Sequence, residues 1–117
     1  MYTIAKTFSF SASHILDTLP DTHPCSRLHG HNYVVELQLA AAELNEHGFV
    51  VDYTDLNPFK KLIKEELDHR HLNDIIPGQP TAEVIAKYLY DRAIEDWPQL
   101  IAVRVHETPK TWAEYRP

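Results

Sequence analysis

Residues 25–39 read CSRLHGHNYVVELQL, and the alternation in the second half of this stretch decides the fold. Every second residue from Tyr33 to Leu39 is apolar, which is the period of a strand that buries one face. His29 and His31 continue the same face. The sequence therefore predicts a strand over residues 31–42, and the two imidazoles of His29 and His31 lead into its inward face.

This pair of imidazoles is half of a zinc site, because two neutral histidines on one face can bind the same ion. Gly30 between them allows close backbone approach. Cys25 lies just upstream, close enough to act near such a metal without being its ligand. A nearby cation would lower the thiol pKa from about 8.5, which makes it a usable base near neutral pH. The alternative is a surface strand that happens to carry His-Gly-His, and the presence of Cys25 and His14 favours the functional interpretation.

The first predicted strand, residues 2–14, supplies the third imidazole. Its apolar side chains alternate with serines, so His14 ends a face that must point inward. Taken alone, a histidine there is more typical of a strand cap or a partly buried side chain, but neighbouring strands can bring it to the His-Gly-His pair. The loop over residues 15–28 holds His23, a spare candidate ligand for which a solvated loop histidine is the simpler interpretation.

Composition narrows the possible functions. With 117 residues and 44% hydrophobic content, the chain is expected to form one domain with a real core. A net charge of −6 argues against nonspecific nucleic-acid binding, and an anionic substrate would need a local basic patch or a metal. Eight histidines are many for this length. The single cysteine, the short apolar runs and the lack of a signal pattern predict a cytoplasmic protein with no membrane partner.

Two helices are predicted between the strands. In chain order the elements are strands at 2–14, 31–42 and 49–53, helices at about 56–67 and 81–97, and strands at 101–106 and 111–115. Thr54 or Asn57 is expected to cap the first helix, which contains Pro58 in its first turn and runs into residues 68–74, and Thr81 is expected to cap the second. This order predicts an α+β domain over residues 1–117, with an antiparallel sheet and helices on one face.

Three carboxyl and imidazole groups later in the chain are further candidates for chemistry. Asp68 could orient the imidazole of His69, but consecutive residues diverge on an ideal helix, so the pair could cooperate only at a frayed helix end. A histidine that merely sits on the helix dipole is an equally good interpretation. Glu107 falls on the inward side of the fourth strand, where a carboxylate needs a partner. That partner is either an internal cation or a ligand with two adjacent N–H donors.

Six short motifs in the right order resemble the 6-pyruvoyl-tetrahydropterin synthase superfamily. They are Phe8-Ser9-Phe10-Ser11-Ala12-Ser13-His14, Cys25-x-x-x-His29-Gly30-His31, Val51-Asp52-Tyr53-x-x-Leu56, Leu67-Asp68-His69-x-x-Leu72-Asn73, Pro80-Thr81-x-Glu83 and Glu107-Thr108. They cover essentially the whole domain. Only three residues separate Cys25 from His29, as in the 6-carboxytetrahydropterin synthases of queuosine biosynthesis, whereas the pyruvoyl type typically has a longer insert there.

The resemblance implies a tunnelling fold, in which ββααββ protomers assemble into barrels, commonly a hexamer of two trimers. It implies zinc as the cofactor, held by His14, His29 and His31, with the fourth position open for substrate oxygens. Cys25 matches the catalytic base of the family.

The resemblance also implies roles for the later residues. Asp68 and His69 match a relay that meets the cysteine in this family. Glu107 matches the residue that anchors the pterin and is counted among the catalytic residues, and Thr108 in the same motif is expected to help bind the substrate. Arg27 is the one candidate for holding the substrate's triphosphate. His71 falls where relatives vary and is assigned no role.

The implied reaction starts from 7,8-dihydroneopterin triphosphate. The carboxy synthase loses acetaldehyde and triphosphate, whereas the pyruvoyl synthase loses triphosphate only. Two alternatives remain: a pyruvoyl-type or sepiapterin-cleaving enzyme, and a non-catalytic metal- or pterin-binding module with structural histidines. Three histidine ligands with an open position are typical of catalytic zinc rather than of a closed structural site.

Overall fold

A five-stranded sheet with two helices forms the protein, and the computed structural model describes all 117 residues. The elements are β1 (Tyr2–His14), β2 (His29–Ala41), α1 (Asn57–Glu66), β3 (Arg70–His71), α2 (Ala82–Ala93), β4 (Leu100–Thr108) and β5 (Thr111–Tyr115). The strand order is β3-β1-β2-β4-β5, and every pairing is antiparallel except the short one between β1 and β3. The predicted α+β class is confirmed.

The long β1–β2 hairpin follows the alternation in the sequence. Phe8 lies opposite Val35, Phe10 opposite Tyr33, and the strands stay in register to their ends. The rings of Phe10 and Tyr33 stack with centroids 4.8 Å apart. Because a slip of one residue would turn this whole apolar face to solvent, the register is strongly specified.

Both helices pack on the apolar face of the sheet and enclose one core. Phe59 of α1 contacts Phe8 edge-to-face at 5.1 Å, and Ile85 and Leu89 of α2 are fully buried. Burying a side chain of this size contributes about 1.5–3 kcal/mol. Thr81 caps α2 as predicted, since its hydroxyl accepts the backbone N–H of Val84 at 3.2 Å. Neither helix is long and apolar enough to cross a membrane.

The strand predicted at 49–53 is wrong. Residues 42–52 form turns and bends, in which the Asn45 side chain accepts the backbone N–H groups of His47 and Phe49. Asp52 then accepts the N–H of Thr54 at 2.9 Å and caps a short 3-10 turn that leads into α1. An apolar run followed by a capping carboxylate prefers this turn to a ladder, because its polar groups are satisfied locally.

The predicted start and end of the first helix also need correction. Neither Thr54 nor Asn57 caps α1, whose N-cap is Leu56 without a side-chain hydrogen bond, although Pro58 does lie in the first turn. The helix ends at Glu66 rather than running into residues 68–74. That segment instead forms the two-residue strand β3 and a 3-10 turn, Leu72–Asp74.

Candidate metal centre and active site

Three histidines converge where β1 ends and β2 begins. His14 pairs with His29 across the hairpin, and His31 lies two residues further along the same face. One ring nitrogen of each histidine lies within 4.8 Å of the others, a spacing that allows all three to contact one metal ion. His14 is buried, with 1% of its surface exposed.

Hydrogen bonds to backbone carbonyls fix two of these rings. Nδ1 of His14 donates to the carbonyl of Pro80 at 2.8 Å, and Nδ1 of His29 donates to the carbonyl of Arg27 at 2.7 Å. Each ring then presents an unprotonated Nε2, and these two atoms are 2.8 Å apart. Two lone pairs at that distance repel each other unless a cation lies between them. A backbone carbonyl that orients a ligating imidazole in this way is the usual support of a metal site.

The ring of His31 also has a nitrogen that is free to bind a metal ion. Nε2 of His31 is buried and has no hydrogen-bond partner, and it lies 3.6 Å from Oε2 of Glu107, beyond hydrogen-bonding distance. Buried polar atoms without partners are rare in folded proteins and indicate a ligand. Burial lowers the pKa of His14 and of His31, although the Glu107 carboxylate opposes the shift, and so favours the neutral imidazole that a metal requires.

Close contact between the strands depends on Gly30. A Cβ atom at this position would lie 3.0 Å from the carbonyl oxygen of Ala12. Any side chain there would push β1 away from β2 next to the paired His14 and His29. The prediction that this glycine permits close backbone approach is confirmed.

A pair of side-chain hydrogen bonds that sequence reasoning missed holds the end of β1. The amide of Asn73 accepts the N–H of Ile15 and donates to its carbonyl, both at 2.8 Å. These bonds fix the chain directly after His14. Asn73 stands in the motif that begins at Leu67, and only its polar side chain beside Leu72 could have signalled the role.

Cys25 lies near this cluster in sequence but outside it. It occupies the 3-10 turn Pro24–Ser26, is partly buried, and its thiol makes no hydrogen bond. The Nδ1 atom of His23 accepts the Cys25 backbone N–H at 3.0 Å, so His23 caps this turn. The side chain of Arg27 is exposed. Its backbone carbonyl accepts the hydrogen bond from Nδ1 of His29 and so orients that ring.

Asp68 and His69 form a hydrogen-bonded pair just past α1. Oδ2 of Asp68 is 3.0 Å from Nδ1 of His69, and Oδ1 accepts the backbone N–H of Ser11 at 2.9 Å. The Ser11 N–H and the neighbouring imidazole hold the pKa of Asp68 below its usual value. Helix α1 ends at Glu66, before Asp68 and His69. These two consecutive side chains can therefore turn toward each other, as the sequence predicts for a helix end.

The backbone at His69 is strained. It has a φ of 59°, the one non-glycine residue in the chain with a positive φ, and its N–H donates to the carbonyl of Ser11 at 2.6 Å. Such strain persists where the surrounding structure holds it and is concentrated at functional sites. The imidazole of His69 is 83% exposed, and no hydrogen bond joins it to Cys25 within one chain.

Glu107 lies between the histidines and a cavity at the end of the sheet. This cavity, of about 220 Å³, lies between the start of α2 and the β4–β5 hairpin and is also lined by Glu83, Thr111 and Trp112. The hydroxyl of Thr108 is hydrogen-bonded to that of Thr111 at 2.8 Å and so closes the hairpin beside Glu107. Glu107 is partly buried and pairs with no Lys or Arg, so the alternative of an internal cation partner finds no support.

Comparison with known proteins agrees with this geometry. Residues 3–117 match the model of the family described as 6-pyruvoyl tetrahydropterin synthase. A 6-carboxy-5,6,7,8-tetrahydropterin synthase from Bacillus subtilis is 35% identical over 99% of this chain and 86% of its own length. Another from Synechocystis sp. is 37% identical over 98% of this chain and 93% of its own length.

A solved structure extends the comparison to the fold. The 6-pyruvoyl tetrahydropterin synthase of Caenorhabditis elegans superposes with a TM-score of 0.86 at 28% identity, and the match covers 99% of this chain and 95% of that one. The expected tunnelling fold is therefore confirmed. Since the family model spans nearly every residue and the relatives align over almost their full length, the chain belongs to the 6-pyruvoyl tetrahydropterin synthase family.

Proposed function

We propose that this chain is a zinc-dependent lyase that converts 7,8-dihydroneopterin triphosphate to 6-carboxy-5,6,7,8-tetrahydropterin, with loss of acetaldehyde and triphosphate, in queuosine biosynthesis. The observation that carries the proposal is the convergence of three ring nitrogens, two of them facing each other unprotonated at 2.8 Å and the third unpartnered beside Glu107. The names of the relatives from Bacillus subtilis and Synechocystis sp. support the carboxy-type reaction.

His14, His29 and His31 would hold the zinc, and their neutral imidazoles suit that metal. A zinc ion with an open position supplies Lewis acidity toward the hydroxyl groups of the substrate's side chain. Pro80 and Arg27 contribute by fixing which nitrogen of His14 and of His29 is free to bind.

Glu107 would bind the pterin ring. A pterin carries an N–H beside an exocyclic amino group, and a carboxylate can accept both in parallel. The position of Glu107 supports this role, because it adjoins both the histidines and the cavity beside Trp112. A ring in that cavity would place its side chain toward the metal ligands, and Thr108 would hold the hairpin that shapes this end.

Cys25 and His69 would move the protons. The thiol of Cys25 has no partner in the protein and is free to exchange a proton with substrate, while Asp68 orients His69 and stabilises its charged form. Because no hydrogen bond joins His69 to Cys25 within one chain, we propose that the two meet where subunits adjoin. We accordingly propose a hexamer of two trimers, with each active site at a subunit boundary. Each subunit would be one domain formed by residues 1–117, and the enzyme would act in the cytoplasm.

The edges of the sheet support assembly. β3 pairs only with Ala12 and Ser13, so most of the outer edge of β1 has no partner in the chain, and β5 forms the other edge. Unpaired strand edges favour association with another chain. Closing the sheets of several copies into a barrel removes both edges.

The decisive experiment is incubation of the zinc-loaded protein with 7,8-dihydroneopterin triphosphate, followed by product identification by mass. The proposal requires 6-carboxytetrahydropterin together with acetaldehyde. A pyruvoyl product without acetaldehyde would instead show the pyruvoyl-type reaction, and cleavage of sepiapterin alone would show the third enzymatic alternative. Binding of pterin without any product would identify a non-catalytic module. Cys25→Ala is the matched control, since the fold and zinc content should survive in it.

A further inference from the structure

A cavity of about 490 Å³ opens beside the Asp68–His69 pair, on the face of β1 that carries the serines. Its polar lining consists of Ser11, Ser13, Asn32, His69, Arg70 and His71, together with His31 of the histidine cluster. None of the residues that line it is an Asp or a Glu, although the chain has 17 acidic residues and a net charge of −6. The lining therefore combines polar and basic groups and contributes no negative charge of its own.

Several hydrogen-bond donors in this cavity have no partner in the chain. Nε of Arg70 donates to the carbonyl of Glu65 at 3.1 Å, which leaves both Nη groups of the guanidinium unpaired. The hydroxyl of Ser11 donates to Oδ1 of Asn32 at 2.7 Å, which leaves the amide N–H groups of Asn32 unpaired.

A third donor comes from the short strand itself. Nδ1 of His71 is 3.0 Å from the hydroxyl of Ser13, and the hydrogen bond leaves Nε2 of the ring without a partner. The pairing of β3 with β1 places His71 opposite Ser13 and Arg70 opposite Ala12. The two-residue strand therefore serves to hold these basic side chains against the serine face of β1.

We propose that this cavity binds a polyphosphate chain, with Arg70 as the principal contact and with Asn32 and His71 as further donors. A guanidinium with two free Nη groups matches the oxygens of a phosphate in a bidentate arrangement, and amide and imidazole N–H groups complete such a site. No carboxylate lines the cavity itself, and the adjacent Asp68 carboxylate is engaged by the Ser11 N–H and the His69 ring, so the repulsion that a polyanion would meet in an acidic protein is reduced here.

The identity of the polyphosphate rests on the proposed function, in which the substrate carries a triphosphate. His69 lines the same cavity and is the residue that would reach the reacting carbons at a subunit boundary. The triphosphate of a substrate bound at that boundary would then extend past His69 into the cavity. This differs from the sequence-based expectation that Arg27, beside Cys25, holds the triphosphate.

Calorimetric titration of the assembled protein with inorganic tripolyphosphate tests the site directly. We expect Arg70→Gln to weaken binding at least about tenfold, the effect of losing charged hydrogen bonds. Asn32→Asp keeps the acceptor for Ser11 but replaces a donor with a negative charge, so it should weaken binding as well. Lys60→Gln removes a positive charge from the exposed face of α1 and should leave the affinity unchanged.

Two controls keep the result interpretable. Tripolyphosphate chelates divalent cations, so metal content is measured before and after titration and the metal-free protein is titrated in parallel. Thermal unfolding of each variant verifies the fold. Arg70→Gln also removes the hydrogen bond from Arg70 to the carbonyl of Glu65, so its loss of affinity could have a structural cause. A similar loss of affinity in Asn32→Asp, which keeps that bond, would show that the cavity itself binds the polyphosphate.

The inference is overturned if tripolyphosphate does not bind at millimolar concentration, if Arg70→Gln binds as well as the wild type, or if Arg27→Gln alone abolishes binding. It is supported if Arg70→Gln and Asn32→Asp both lose affinity and Lys60→Gln does not. If this pattern is found but dihydroneopterin triphosphate is not converted to any product, the proposed function fails while the polyphosphate site stands.

Discussion

His14 and His29 face each other across the β1–β2 hairpin with their Nε2 atoms 2.8 Å apart, while the Nδ1 atom of each ring is held by a backbone carbonyl. While both rings are neutral, neither can donate to the other without giving up its carbonyl partner. Two acceptors in such proximity are stabilised by a cation that both can bind. This relationship, rather than the presence of histidines in the sequence, is the physical argument for a metal centre.

Removing one ligand should therefore abolish metal binding, whereas removing the thiol should not. We expect His31→Ala to lose zinc and Cys25→Ala to keep one zinc per chain, because the cysteine lies outside the histidine cluster. Zinc at about 100 times its dissociation constant should stabilise Cys25→Ala by about 2.7 kcal/mol and should not stabilise His31→Ala. Metal analysis and thermal unfolding with and without zinc provide the measurement. Loss of zinc in Cys25→Ala would show that the cysteine is a ligand.

Substitutions of His69 should separate its chemical role from its backbone strain. Both His69→Ala and His69→Gly should lose turnover by about 10²–10⁴-fold, the usual contribution of proton transfer. His69→Gly should be more stable than His69→Ala by about 1 kcal/mol, because only glycine adopts a φ of 59° without a steric cost. Denaturant unfolding of the two variants measures this difference. Equal stability would mean that the positive φ is not maintained in solution.

Glu107→Gln should weaken pterin binding by about 1–3 kcal/mol, since the amide replaces one acceptor oxygen with a donor. Zinc content should not change, because Glu107 is not one of the three ligands. Calorimetry with a non-reactive pterin measures the affinity, and metal analysis of the same sample is the control. Unchanged affinity with an intact fold would place the ring elsewhere.

The Asp68 carboxylate predicts a specific pH dependence. Hydrogen bonds from Ser11 and His69 lower its pKa below the ordinary value of 3.8, so the stability it contributes is present above that pH and is lost as the pH falls through the lowered pKa. We expect Asp68→Asn to unfold at a lower temperature than the wild type at pH 7, and the difference in melting temperature to shrink as the pH falls below about 4 and to vanish only below the lowered pKa of Asp68. A difference that persists unchanged in acid would show that the ionised carboxylate does not stabilise the fold.

The exposed strand edges predict the state of assembly. We expect light scattering to give about six times the protomer mass of 13.5 kDa, because β1 and β5 would otherwise present unpaired backbone groups to solvent. The measurement is made at micromolar concentration with and without zinc. A stable monomer under both conditions would contradict assembly into a barrel and would leave His69 without access to Cys25.

The alternation of side chains determined most of the sheet. A period of two needs no information from distant residues, so β1 and β2, the inward direction of His14, His29 and His31, and the closeness required at Gly30 could all be predicted. The cap of α2 at Thr81 was equally local. Local signals compete in residues 49–53, where the apolar run is typical of a strand but the side chains of Asn45 and Asp52 satisfy the backbone and form turns instead.

Only the tertiary structure decided how separated segments meet. The strand β3 consists of Arg70–His71 and exists because β1 offers it an edge, and two residues are too few to carry a periodic signal. The protonation of His14 depends on the carbonyl of Pro80, which lies 66 positions away in sequence. The position of Asp68 likewise depends on the N–H of Ser11. The sequence determines which residue types are available for chemistry, whereas long-range hydrogen bonds determine which of their atoms are free to act, because those bonds form only when the whole sheet has assembled.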